Sequence, residues 1–311
     1  MDFLADVTVN PIADILSSPI FFAEVVTGGV LIGLMYALIA LGFVLIFKAS
    51  GVFNFSQGVM VLFAALNLVG LIDLGVPIWL ALIFTIAIMV VLAAAIERLV
   101  LRPLINQPEI ILFMATIGLT FFLQGFAEMI WGGNVRRLDI GIPQRPFEFG
   151  GMLLNQFDLF AAGSAAVLVL VLALLFTKTP IGRALRAVAD DHQAALSVGI
   201  SLKYIWIVVW SVAGIVALVA GIMWGSRSGV QFSLSLIALK ALPVLILGGF
   251  TSMPGAIVGG LIIGVGEKVA EVYWGPALGG GIESWFAYVV AVIFLLFRPQ
   301  GLFGERIIER V

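Results

Sequence analysis

The chain has 311 residues, of which 62% are hydrophobic and 11% charged, with a formal net charge of −2 at pH 7 and no cysteine. So small a charge balance speaks against nucleic acid as a partner, and the missing thiols exclude disulfides and thiol chemistry. Runs such as PIWLALIFTIAIMVVLAAA (77–95) are uniformly apolar rather than alternating in short segments. The chain therefore reads as an all-α, polytopic helical membrane protein and not as a β-barrel.

In chain order, the N-terminus MDFLADVTVNPIADIL is acidic and the first basic residue is Lys48. A positively charged leader region is missing, so the first span is expected to be retained. Residues 1–20 read as an N-terminal extension, 21–304 as a single transmembrane domain and 305–311 as a tail. Apolar runs at 24–47, 58–74, 76–97, 109–131, 158–177, 204–225, 231–249, 255–272 and 284–297 predict about nine spans. Two of them, 58–74 and 231–249, are short or interrupted by Asn67, Lys240 and Pro243, and are expected to be broken or re-entrant.

Lysine and arginine set the orientation, because cytoplasmic loops are enriched in both. With 178–203 inside, Lys48, Arg98, Arg102, Lys178, Arg183, Arg186, Lys203, Arg298, Arg306 and Arg310 all fall inside. Arg136, Arg137, Arg145 and Arg227 fall outside. The expectation is an external N-terminus and a cytoplasmic C-terminus.

Two breaks echo each other: GVFNFSQG (51–58) and GGFTSMPG (248–255) share G-x-F-x-x-x-x-G. Irregular backbone at membrane depth survives where protein or water satisfies it, so Asn54, Ser56, Gln57, Thr251 and Ser252 are candidates for a translocation path. Lys240 and Glu267 join them, since a charge at a helix centre costs about 2.5–3.5 kcal/mol on insertion scales and usually faces a bundle interior or aqueous path. The alternative is that Glu267, Lys268 and Glu271 mark the interface end of a span and Lys240 snorkels. Glycine pairs Gly29/Gly33, Gly221/Gly225, Gly255/Gly259 and Gly260/Gly264 have the spacing that lets helix backbones approach closely.

The stretch GRALRAVADDHQAALSVG (182–199) is polar for so apolar a chain and holds its only histidine. On a wheel Leu185, Val188, His192, Ala195 and Leu196 share one face, Arg183, Arg186, Asp190, Gln193 and Ser197 the other, with Gly199 placed to end the helix. Docking into a partner's groove and lying at the lipid interface fit this pattern equally. His192 has no second histidine or cysteine with which to hold a metal, and Asp190 and Asp191 diverge by about 100° on a helix. No P-loop occurs, nor H-E-x-x-H, nor G-x-S-x-G, so an enzyme reading has no residues to stand on.

Five blocks, GVLIGLMYALIALGFVLIFKASGVFNFSQG (29–58), IERLVLRPL (96–104), ATIGLTFFLQ (115–124), GRALRAVADDHQAALSVGI (182–200) and ALKALPVLILGGFTSMPGAIVGGLIIGVGE (238–267), occur in this order, with a closing RPQGLFG (298–304). Together they resemble the membrane permease of high-affinity branched-chain amino acid ABC importers, from about residue 25 to 304. The resemblance implies a second homologous permease subunit, two cytoplasmic ATPases that bind the ATP, and an external binding protein. It implies that 182–199 is the coupling segment, carried by Gly182, Arg183, Arg186, Asp190, Asp191, His192 and Gly199. It implies no cofactor on this chain and import of branched-chain amino acids or a similar small polar solute. Related permeases carry urea, short amides or aromatic acids, and an ion-coupled carrier or channel is the rival from another class. The extension before residue 21 and the glycine-rich PALGGGIES (276–284) depart from the family pattern.

Overall fold

The structure, a computed structural model, describes residues 7–104, 107–190 and 192–304, with the backbone alone at 190, 192 and 193. A short helix α1 (Asn10–Ser17) precedes the long α2 (Pro19–Ser50), followed by α3 (Gln57–Asp73), α4 (Ile78–Ile96) and α5 (Glu109–Trp131). Strands β1 (Pro146–Phe149) and β2 (Met152–Asn155) lead into α6 (Gln156–Lys178), then α7 (Pro180–Asp190), α8 (His192–Ser197) and α9 (Leu202–Ser228). A 3-10 turn (Phe232–Leu236) opens α10 (Ile237–Gly248), and α11 (Met253–Leu278) and α12 (Phe286–Phe297) complete the order.

Each predicted apolar run is helical, but the nine runs do not make nine helices of spanning length. By length and composition five described helices qualify: Pro19–Ser50, Ile78–Leu104, Glu109–Trp131, Gln156–Lys178 and Leu202–Ser228. A sixth is gained if Phe232–Gly248 and Met253–Leu278, bent by 115°, count as one broken span. Gln57–Asp73 and Phe286–Phe297 are shorter. At 1.5 Å per residue a 17-residue α3 reaches only about 26 Å, short of a hydrocarbon core of about 30 Å. The expectation that 58–74 and 231–249 are short or broken matches this pattern.

Contacts gather the chain into two compact units: residues up to Ala40 with Gly141–Ala166 and Lys240 onward, and Leu41–Ile140 with Val167–Leu239. In the second unit α3 is the core. Every residue from Gln57 to Gly70 is buried, and α4, α5, α9 and the 3-10 turn pack around it. A helix that is hydrophobic all round has no face to offer water, so burial on all sides is what its sequence requires.

In the first unit the glycine pairs explain how α2 meets α11. A Cβ on Gly33 would lie 2.6 Å from the Gly260 carbonyl oxygen, and one on Gly264 would lie 2.5 Å from the Gly29 carbonyl oxygen and the Gly33 Cα. Gly29/Gly33 and Gly260/Gly264 therefore face each other, backbone against backbone. Gly259 meets the Val244 carbonyl in the same way, so α10 folds back tightly on α11.

Extended structure among the described residues is confined to an isolated antiparallel bridge, Arg136 to Val230, and a hairpin, with Phe149 paired to Met152 across Gly150 (φ 61°) and Gly151 (φ 84°). Two successive positive φ values are the signature of a type I′ turn, which glycine adopts without steric cost. The Gly-Gly pair was the available signal.

Candidate functional site

The polar stretch forms two helices after α6. Thr179 Oγ1 accepts from the Gly182 N–H at 3.2 Å, and a Cβ on Gly182 would sit 2.0 Å from the Phe176 carbonyl oxygen, so only glycine permits this reversal. Leu185, Val188 and Ala195 are buried at 1%, 0% and 2% exposure and fasten the segment to its unit. Arg183 is exposed, and so are Leu196 and Val198, so Leu196 does not share the burial of Leu185, Val188 and Ala195 on its wheel face. Arg186 donates to the Phe176 carbonyl, placing a cation on the C-terminal turn of α6, where the helix dipole favours positive charge. Arg186 is nonetheless exposed, in keeping with its place on the polar face of the wheel, which gave no sign of this bond. Gly199 has φ 85° and ends the segment as expected. Asp191 lies outside the described residues, as do the side chains of Asp190 and His192.

The first helix break, after Gly51 (φ 71°), belongs to the second unit and is a closed polar knot. Asn54, Ser56 and Gln57 are 1%, 0% and 0% exposed. Asn54 Oδ1 accepts from Ser56 Oγ at 2.6 Å and from the Ser56 N–H at 3.1 Å, while Asn54 Nδ2 donates to Gln57 Oε1 at 3.4 Å. Gln57 Nε2 reaches the Ala213 carbonyl on α9 at 3.4 Å. Thr116 on α5 serves both sides of the break, accepting from the Phe55 N–H at 3.2 Å and lying 3.3 Å from the Phe53 carbonyl. A broken helix buries backbone groups that need partners, and these side chains supply them. Thr116 was not singled out by sequence. Its block, ATIGLTFFLQ, marks the helix but not which residue faces the break.

The second break lies in the first unit. Gly249 (φ 99°) ends α10, and Ser252 caps α11 by accepting from the Gly255 N–H at 3.1 Å. Thr251 is half-buried. The closing RPQGLFG seals this turn: Leu302 N–H donates to the Leu247 carbonyl at 2.7 Å and Phe303 N–H to the Gly248 carbonyl at 3.2 Å. A Cβ on Gly301 would lie 2.7 Å from Gly249 Cα.

Lys240 and Glu267, also in the first unit, form an ion pair, Nζ to Oε1 at 2.8 Å, with the lysine side chain 29% and the carboxylate 5% exposed. Lys240 Nζ also donates to the Glu283 carbonyl at 3.1 Å and to Tyr36 OH at 3.4 Å. Lys240 Nζ thus has three oxygen partners within this unit. Glu271, one turn on, accepts from the Gly281 N–H and the Glu283 N–H, both at 3.0 Å, and holds the three successive positive-φ glycines of 279–281 in place. The atypical PALGGGIES loop is therefore tied to both Lys240 and Glu271.

A further ion pair, with a buried carboxylate and a partly exposed arginine, escaped sequence reading. Glu97 is 1% exposed, and its Oε1 and Oε2 accept from Arg102 at 2.8–3.1 Å. On an α-helix residues five apart diverge, but Glu97–Leu101 is a π-turn, whose i→i+5 bonding brings them together.

Comparisons with known proteins follow this geometry. A family profile described as "Branched-chain amino acid transport system / permease component" matches residues 25–298. The chain is 28% identical over 306 residues to the high-affinity branched-chain amino acid transport system permease protein BraD of Pseudomonas aeruginosa, covering 93% of this chain and 98% of that one. It is 28% identical over 318 residues to the corresponding protein LivH of Escherichia coli K12, covering 94% and 98%. Among solved structures it resembles PsaBC from Streptococcus pneumoniae in complex with Fab, with a TM-score of 0.50 and 12% identity over 93% of this chain and 97% of that one. That likeness speaks to the fold alone.

Proposed function

Because the chain belongs to the family of branched-chain amino acid transport system permease components, a multi-pass membrane family, we propose that it is the translocation subunit of an ATP-driven importer. Its cargo is a branched-chain amino acid or a similar small polar solute, handed over by an external binding protein. It pairs with a homologous permease and with two cytoplasmic ATPases, which bind the ATP that this chain, lacking a P-loop, has no motif to hold. The N-terminus lies outside and the C-terminus in the cytoplasm, following the lysine and arginine bias.

The observation that carries this reading is the α7–α8 segment. It is anchored by Leu185, Val188 and Ala195 yet leaves Arg183, Leu196 and Val198 open, a mixed charged and apolar surface suited to a cleft in a soluble partner. Gly182, Arg183, Arg186, Asp190, Asp191, His192 and Gly199 are assigned to coupling on this reading. The two breaks are assigned to movement during transport: Asn54, Ser56 and Gln57 in one, Thr251 and Ser252 in the other. Lys240 and Glu267 hold the first unit's helices in register beside its break.

The test is purification of the full chain with untagged native partners, mass spectrometry of what co-elutes, and uptake by the reconstituted assembly. Two ATPase chains, a second permease and ATP-dependent uptake of leucine, isoleucine or valine are expected. Uptake by the lone chain without ATP would reject the reading in favour of an ion-coupled carrier or channel.

A further inference from the structure

The N-terminal extension holds a feature that coupling and translocation leave unused. Helix α1 has three sectors. Pro11 is buried and Ile15 half-buried toward α11, and the Trp274 indole N–H donates to the Val7 carbonyl at 3.0 Å, so this edge is fixed to the first unit. Asn10, Asp14 and Ser17 form an exposed polar edge. Between the two runs an open apolar arc: Val9, Ile12 and Leu16 are 60%, 55% and 76% exposed. At 100° per residue these three fall within about 60° of one another, so the arc is a face and not scattered residues.

That face continues into a membrane-facing surface. Only Ser18 separates α1 from the spanning helix α2, whose first residues Ile20 and Phe21 are 56% and 46% exposed. With eight residues α1 is about 12 Å long and cannot cross a bilayer. One edge on protein, one in water and an apolar arc contiguous with the start of a span is the geometry of a helix lying flat at the lipid boundary.

We infer that α1 is an interfacial anchor whose Val9–Ile12–Leu16 face rests on lipid acyl chains and sets the entry of α2 at Pro19. Interfacial helices usually add attraction between basic residues and anionic headgroups, but no lysine or arginine precedes Lys48. Apolar contact therefore supplies the association, and headgroup charge does not govern it.

The chain has no cysteine, so single replacements report cleanly. Asn10→Cys, Ile12→Cys, Asp14→Cys and Leu16→Cys, each carrying a nitroxide, are placed with the full assembly in phosphatidylcholine bilayers. Collision rates with oxygen, which concentrates in lipid, are compared with those of a water-soluble nickel chelate. The oxygen-to-nickel ratio should be several-fold higher at positions 12 and 16 than at 10 and 14, and unchanged when phosphatidylglycerol is added. Equal aqueous access at all four positions would overturn the inference. So would shielding of 12 and 16 from both reagents, which would mean that a protein partner or a second copy covers the face. A ratio that rises only with phosphatidylglycerol would reject the apolar basis of the association.

Discussion

A buried carboxylate in a membrane protein survives by its partners, and the two described here differ in what their loss would leave behind. Lys240→Met strands Glu267, only 4% exposed, without its cation, and breaking a buried pair from that side costs about 3–5 kcal/mol. Glu267→Gln leaves a lysine that is 29% exposed and still bonded to the Glu283 carbonyl, so a smaller loss, about 1.5–3 kcal/mol, is expected. The double variant should fall near Glu267→Gln alone, because no buried charge is left uncompensated. Thermal unfolding of the four proteins in detergent checks this, and strictly additive losses would show that the pair does not interact. At Glu97 the partner is a guanidinium fork that touches both carboxylate oxygens. A lysine cannot reproduce that fork. Arg102→Lys should therefore destabilise by about 1–3 kcal/mol in the same assay, despite keeping the charge.

Between elements, the decisive contacts are made by residues without side chains. In an isolated helix Gly→Ala gains about 0.8–1 kcal/mol. At Gly33 and Gly264 the added methyl would meet backbone atoms at 2.6 and 2.5 Å, and forcing helices apart costs about 1–3 kcal/mol, so the sign reverses. Gly33→Ala and Gly264→Ala should lower the unfolding temperature, while Gly28→Ala, with nothing within 4 Å, should leave it unchanged or raise it. Equal behaviour of all three would mean that α2 and α11 do not pack through these glycines. The two arginines of α7 should separate in the same spirit. Arg183→Glu changes an exposed charge and is expected to weaken ATPase co-purification without altering stability. Arg186→Glu also removes the bond to the Phe176 carbonyl and puts a like charge on a helix C-terminus, so it should lower both. Unaltered co-purification in both variants would remove the docking reading.

Over the whole molecule, a transporter needs states that differ in contact. In the conformation described, Ser56 is 0% exposed and bonded to Asn54. Ser56→Cys should accordingly resist small aqueous thiol reagents in the resting assembly and react when ATP is turning over, with the 38% exposed Val90→Cys as a lipid-facing control. Labelling at position 56 that is indifferent to nucleotide would exclude this break from the transport cycle.

Hydrophobic run length is a local property, so it revealed a helical membrane protein, the order of its helices and the shortness or break at 58–74 and 231–249, although not that Phe286–Phe297 would also be short. Glycine spacing is local too, and it marked the close-packed helices, although not that Gly29/Gly33 would meet Gly260/Gly264. Polarity singled out the 182–199 segment, and the ordered blocks singled out the family. Tertiary structure decided what depends on residues far apart in the chain. Thr116 closes a break 61 residues earlier, and Gln57 finds a carbonyl 156 residues later. Arg186, still exposed, bonds the end of a neighbouring helix, and a π-turn brings Glu97 to Arg102. A wheel or window reports which residues share a face of one helix. Only packing assigns that face a partner, because a hydrogen bond or close approach is set by distance in space and not by separation along the chain.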